Sequence, residues 1–373
     1  MLPVGESNSM EAFITQGANA ARKVLPIGQP GVITYLHHAY PLSIAAGAGL
    51  YHSNWLFNNY LQLRCARELV GAAAITEFDF YLLPTHFSRF GEFLRMPQLF
   101  ASLLWTRREE IIPAVIRGID QGWYLQIPLD EFYIPCRAAF GKRHYVHELL
   151  VFGYDAEART LKILGFDDRM EFGEQQIAFR DLEDAIALAD TSGHYDPGGV
   201  RLYRHVASER YPADPSMATE FLADYCEERD SSQRFRAMLP ARDGYVYGFG
   251  VYAPLAAFCG TLAERPEAMD IRPLQLLWEH KKCMAERLAR WVELGWLAPD
   301  EPALGRYAAI VEQANGLRLL GLKYWVSQQP AVLERVSTRL FALRDRERET
   351  LEPVLAKLRR KLGDAQQTAS APR

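Results

Sequence analysis

The sequence predicts an α+β fold: an amino-terminal domain with a central helix and an antiparallel sheet, followed by a mainly helical carboxy-terminal domain. Three observations predict it. Two apolar runs of strand length, Tyr145–Tyr154 and Leu161–Phe166, flank the polar turn Asp155-Ala156-Glu157-Ala158-Arg159 and read as a β-hairpin. Helical patterns precede these strands, the order an α+β domain requires. Beyond residue 215, Leu274, Leu277, Met284, Leu288 and Trp291 recur at spacings of three, four and seven, the stripe of a helix packed on a core.

Residues 1–30 read as an extension or lid, with a short helix around Met10–Val24 and a tip rich in proline and glycine. Residues 31–190 form the first domain. Within it Pro41, followed by small apolar residues to Gly49, suits the first turn of a buried helix. A second helix starts at Ser53 or Asn54, with Ser53 as its N-cap. Ala74–Leu83 reads as a strand, 87–119 as helical, and Gly122–Pro128 as the start of the main sheet. The shift to Gly, His, Asp and Pro over 191–215 marks a linker. Residues 216–362 form the helical domain, with a kink or break expected at Pro353, and 363–373 a disordered tail.

Composition narrows the function. At 49% hydrophobic and 12% aromatic the 373-residue chain has ample core, so a disordered protein is excluded. A net charge of −4 with interspersed signs leaves no footprint for nucleic acid. Five scattered cysteines without CxxC spacing argue against a disulfide framework or zinc site and for a reducing compartment. The amino terminus lacks a signal peptide's order and no apolar run approaches a membrane span, so a cytoplasmic location is expected. No phosphate loop or HExxH is present, so no bound cofactor or metal is implied. His280 and Cys283, three apart on one helix, are too few for a metal and read as core residues.

In the hairpin, the start of one strand lies beside the end of the next, which brings His147 to Asp167 or Asp168. Asp167 continues the alternation of Leu161, Ile163 and Gly165 and is the expected partner. A carboxylate on one imidazole nitrogen fixes the tautomer and leaves the other nitrogen to act as a base. The competing reading is a sheet-edge histidine beside a solvated loop aspartate.

A histidine opening an apolar strand, then Gly153-Tyr154-Asp155, then a strand ending in aspartate is similar to the histidine and aspartate strands of papain-like cysteine peptidases, especially the bacteriocin-processing branch. It resembles the butirosin-biosynthesis acyltransferase family more closely still, as do Leu129-Asp130-Glu131-Phe132-Tyr133, Phe179–Ala185, Tyr247–Tyr252 and Arg272–Lys282. The resemblance runs from about Gly31 onward. It implies a papain-like amino-terminal domain and transfer of an acyl group from a thioester, on the phosphopantetheine arm of an acyl or peptidyl carrier protein, to a small-molecule amine.

The papain-like pattern requires a cysteine at the amino end of the central helix, where the helix dipole favours a thiolate. Here His37 or His38, or in another alignment Asn54, falls at that position. With no thiol there, His147 is expected as general base, Asp167 as its orienter, and His38 as a catalytic residue at the helix end. His37, Asn54, Tyr133 and Cys136 are candidate substrate-binding residues, with Cys136 a reserve nucleophile. Ser43 and Cys65 read as packing residues. The alternative is a catalytically inactive scaffold that binds a carrier protein, a peptide or a partner enzyme; a peptidase fits least, because an unactivated amide most needs the missing nucleophile. The helical half leaves room for a homodimer.

Overall fold

A computed structural model describes residues 21–49, 54–69, 77–82, 94–95, 98–100, 104–189, 199–205, 212–235 and 243–370. The chain is α+β, with antiparallel sheets and a helical carboxy-terminal region. In order, the elements are β1 (Arg22–Val24), α1 (Leu36–Gly47), α2 (Asn54–Asn59), β2 (Leu63–Ala66), β3 (Phe78–Phe80), β4 (Leu94–Arg95), β5 (Gln98–Phe100), α3 (Arg108–Asp120), β6 (Tyr124–Asp130), β7 (Val146–Asp155), β8 (Thr160–Phe166), β9 (Phe172–Ala178), α4 (Phe179–Ala187) and β10 (Gly199–His205). The carboxy-terminal region adds α5 (Pro215–Cys226), β11 (Tyr245–Tyr247), α6 (Tyr252–Thr261), α7 (Arg272–Glu293), α8 (Pro302–Ser327) and α9 (Pro330–Ser370). Among the described residues no helix is long and apolar enough to cross a membrane.

The chain divides into two compact units, 1–51 with 85–209 and 52–84 with 210–373. Residues 52–84 therefore group with the carboxy-terminal half, whereas the sequence reading assigns them to the first domain. The reason is a pair of buried polar side chains on α7. Arg287 donates from Nε to the Phe57 carbonyl at 2.6 Å and from Nη2 to the Tyr60 carbonyl at 2.7 Å, and His280 donates from Nε2 to the Leu61 carbonyl at 2.7 Å. These bonds satisfy carbonyls in the last turn of α2 and in the two residues just beyond it.

In the first unit the sheet order is β4-β10-β6-β7-β8-β9, with β1 on β7 and β5 on β10, every pairing antiparallel. β7 is ten residues long and is shared out. Its first half pairs with β6, Asp130↔Val146 to Leu125↔Val151, and its second half with β1 and β8. The buried residues Leu149, Leu150, Val151 and Phe152 anchor it in the core, where α3 and α4 pack against the sheet. α1 is buried from His38 to Ala45 and lies so close to the segment 26–28 that a Cβ on Gly47 would fall 2.5 Å from the Pro26 carbonyl oxygen.

Among the described residues the second unit holds the three-stranded sheet β11-β2-β3 and six α-helices, α2 and α5 to α9. At its centre Lys281 on α7 and Glu347 on α9, both fully buried, pair at 2.8 Å. The carboxylate also accepts from the hydroxyls of Tyr252 (2.7 Å), Tyr225 (3.1 Å) and Tyr307. Burial pushes the Lys281 ammonium below its ordinary pKa while Glu347 opposes the shift, and burial together with Lys281 holds His280 neutral. His280 and Cys283 are core residues here, as expected.

Several expectations need correction. Arg22–Val24 is a strand on β7 rather than the end of a helix; the rest of the predicted helix and most of the lid lie outside the described residues. Leu94–Arg95 and Gln98–Phe100 are strands within the stretch read as helical, because their neighbour β10 offers an open edge for pairing. α1 starts at Leu36, so Pro41 lies inside it. α9 runs unbroken through Pro353 to Ser370, into the stretch read as a disordered tail. Leu351, Val354, Leu355 and Leu358, buried on both sides of the proline, hold it in place.

Removing one partner of the Lys281–Glu347 pair leaves a charge buried without its counterion. Lys281→Met alone is expected to cost about 3–5 kcal/mol in urea unfolding, and Lys281→Met with Glu347→Leu to recover most of it. Equal losses in the single and double variants would show that the pair itself is not what matters.

Candidate functional site

The site is built where β6 ends and β7 begins. Asp130 closes β6 in an extended conformation (φ −87°, ψ 110°), and Glu131–Tyr133 form one turn of 3-10 helix. Alternation along an extended strand sends the consecutive carboxylates of Asp130 and Glu131 to opposite sides of the ribbon. Each carries a histidine.

On one side Asp130, fully buried, accepts from the backbone NH groups of Phe132 (3.0 Å) and Tyr145 (2.9 Å) and lies 2.6 Å from His144 Nδ1. Burial alone would push this carboxyl up, but the hydrogen bond from His144 and those from the two amides outweigh it and hold it below its ordinary value. The His144 ring stacks on Phe132 at 4.4 Å. With the acid saturated and the ring covered on one face, this pair acts as a staple that fixes the turn.

On the other side His147, paired with Leu129 in the ladder, places Nδ1 3.2 Å from Oε1 of Glu131. The Glu131 side chain is 11% exposed and that of His147 36%. Arg137, 3% exposed, brings Nε to 3.8 Å from the same Glu131 oxygen and donates from Nη1 to the Phe166 carbonyl. Gly165 makes room for this guanidinium, since a Cβ there would fall 2.5 Å from Nη2. Tyr145 stacks on His147 at 5.4 Å, and the Arg143 guanidinium lies over Tyr145 at 5.2 Å. The result is a line of cation, buried carboxylate and half-exposed imidazole. An Nδ1–H donated to Glu131 leaves Nε2 as an acceptor toward solvent, the arrangement a general base needs.

The carboxylate that His147 meets is therefore Glu131, not Asp167. The β7–β8 ladder ends at Leu150↔Leu164, short of His147, and Arg137 enters beyond that end. Asp167 instead accepts from the amides of Arg169 (2.9 Å) and Glu171 (2.8 Å) and closes the β8–β9 turn.

The other expected residues scatter. His38 is buried in the first turn of α1, its ring 4.2 Å from that of the exposed His37; the contacts of His147 are with Glu131 and Tyr145 and do not include it. Asn54 opens α2 in the second unit. Tyr133 lies 5.0 Å from Phe132 and 6.0 Å from His144, on the staple's side. Cys136 adjoins Arg137, but burial pushes its thiol up, the wrong direction for a nucleophile. Cys226, Cys259 and Cys283 are pushed up to about 12 by burial, and Cys65 is raised as well. Ser43 is fully buried.

Asp130, Glu131 and His144 carry no chemical role in the sequence-based expectation, although the adjacent acids closing one strand and the two histidines opening the next are an available signal. No protein-family model matches the chain, and no curated protein is significantly similar to it.

Replacing Asp130 by Asn keeps the shape but removes the charge that His144 and the two amides stabilise. Asp130, depressed in the folded state, contributes stability that is present above the ordinary carboxylate range, near pH 4, and lost as the pH falls through it. Asp130→Asn should destabilise by about 1–3 kcal/mol at pH 7, with the difference shrinking in melts at pH 3. A pH-independent difference would show that the charge plays no part.

Proposed function

We propose that the protein is an acyltransferase of natural-product biosynthesis, built on a papain-like amino-terminal unit, that moves an acyl group from a carrier-protein thioester to an amine with His147 as base. The single observation that supports it is the half-exposed His147 ring held through Nδ1 on the buried Glu131. The amine nitrogen attacks the thioester carbonyl, the C–N bond forms as the C–S bond breaks, and the amine proton passes to His147 Nε2 and then to the departing thiolate. A thioester is activated enough for base and orientation to suffice, so the step does not require an enzyme thiolate. Glu131 fixes the ring and stabilises the imidazolium formed in the step, and Arg137 holds Glu131. The phosphopantetheine arm enters as substrate carrier, not as a bound cofactor, and a cytoplasmic carrier protein is the partner.

One observation favours the scaffold reading: the Cys136 thiol, nearest in sequence to the dyad, is raised rather than activated. The two readings separate by intact mass. With a panel of acyl-loaded carrier proteins and a primary amine, the wild-type protein should discharge the carrier and form the amide. His147→Ala should slow this about 10²–10⁴-fold, Glu131→Gln by a smaller factor, and Asp167→Asn little. Carrier binding without discharge, unchanged in His147→Ala, would sink the enzyme reading and leave the scaffold.

A further inference from the structure

Helix α8 buries one face, through Tyr307, Ile310, Ala314, Leu317 and Tyr324, and leaves the opposite face open. Along the open face Ala309, Glu312, Gly316, Leu319, Lys323 and Val326 follow one another at alternating steps of three and four, the period of a coiled-coil seam. All are exposed except the half-buried Gly316, with Leu319 at 51% and Val326 at 88%. A Cβ on Gly316 would meet nothing within 4 Å. Among the described residues neither Glu312 nor Lys323 has an ion-pair partner within the chain.

This seam is complementary to itself in one direction. Place a second α8 antiparallel, with the two-fold axis between Leu317 and Arg318. Glu312 of each copy then meets Lys323 of the other, Leu319 meets Gly316, and Val326 meets Ala309. Every large residue finds a small one and each charge its opposite, and the same register satisfies all six positions, as an isologous interface demands. A parallel pairing would set Glu312 against Glu312 and Lys323 against Lys323, which is repulsive. From this matched charge and size we infer that the open face of α8 is the interface with a second copy of this chain, packed antiparallel. The inference does not depend on the proposed chemistry.

Sedimentation equilibrium of the full chain tests it, with circular dichroism as the check that these surface variants stay folded. The wild type is expected to be a dimer. Glu312→Lys and Lys323→Glu should each weaken it on the order of tenfold or more, since the symmetry turns two attractive contacts into two repulsive ones. The double reversal Glu312→Lys with Lys323→Glu should restore it. A wild type that stays monomeric at high micromolar concentration, a dimer indifferent to both single reversals, or a double variant as weak as the singles would each overturn the proposal.

Discussion

Strands β7 and β8 part after Leu150 and Leu164, and the polar groups beyond that point must find partners outside the ladder. The Phe166 carbonyl finds the Arg137 guanidinium, which can reach it because Gly165 has no side chain. Once Arg137 is buried there, a carboxylate close by offsets part of the cost of burying its charge, and Glu131, at the end of the neighbouring strand, lies 3.8 Å away. Glu131 in turn meets His147, which the end of the ladder has left half exposed. The line from cation to imidazole thus follows from one strand being longer than its neighbour.

Two buried acids in the protein show how the same physics yields different outcomes. Glu347 is enclosed with a lysine and three tyrosine hydroxyls, so its charge is compensated and solvent has no access to it. Such a network orders a helical core and does nothing to a ligand. Glu131 is nearly as buried but shares its charge with a ring that reaches solvent. Exposure of the partner, more than burial of the acid, separates a structural network from a candidate site. Exposure of the partner does not decide alone: His144 is 48% exposed, but Asp130 Oδ1 is taken up by two backbone amides and its Oδ2 by His144, so that pair falls on the structural side.

The strands β6, β7 and β8 and the helix α7 were legible because their alternation and periodicity are local properties of the sequence. So was the place of His147 at the start of a strand. Its partner was not, because pairing register was extended past the point where the ladder stops, and nothing local to Leu164-Gly165-Phe166 announces that an arginine from another loop will intervene. The assignment of residues 52–84 failed for a similar reason: the bonds from Arg287 and His280 to Phe57, Tyr60 and Leu61 span more than 200 positions of sequence. The persistence of α9 through Pro353 likewise comes from packing on both sides of the proline, which outweighs the local penalty.

The thiols constrain the chemistry that the proposed base can serve. Burial raises all five, so a covalent acyl-cysteine would have to form from a neutral thiol, which is a poor nucleophile. A histidine and carboxylate without a thiolate can remove a proton from an attacking amine, but they cannot by themselves expel the poor leaving group of an amide. Thioesters differ in that the departing thiolate needs little help. A base that stands alone is therefore better matched to an acyl donor that arrives already activated than to hydrolysis of a peptide bond.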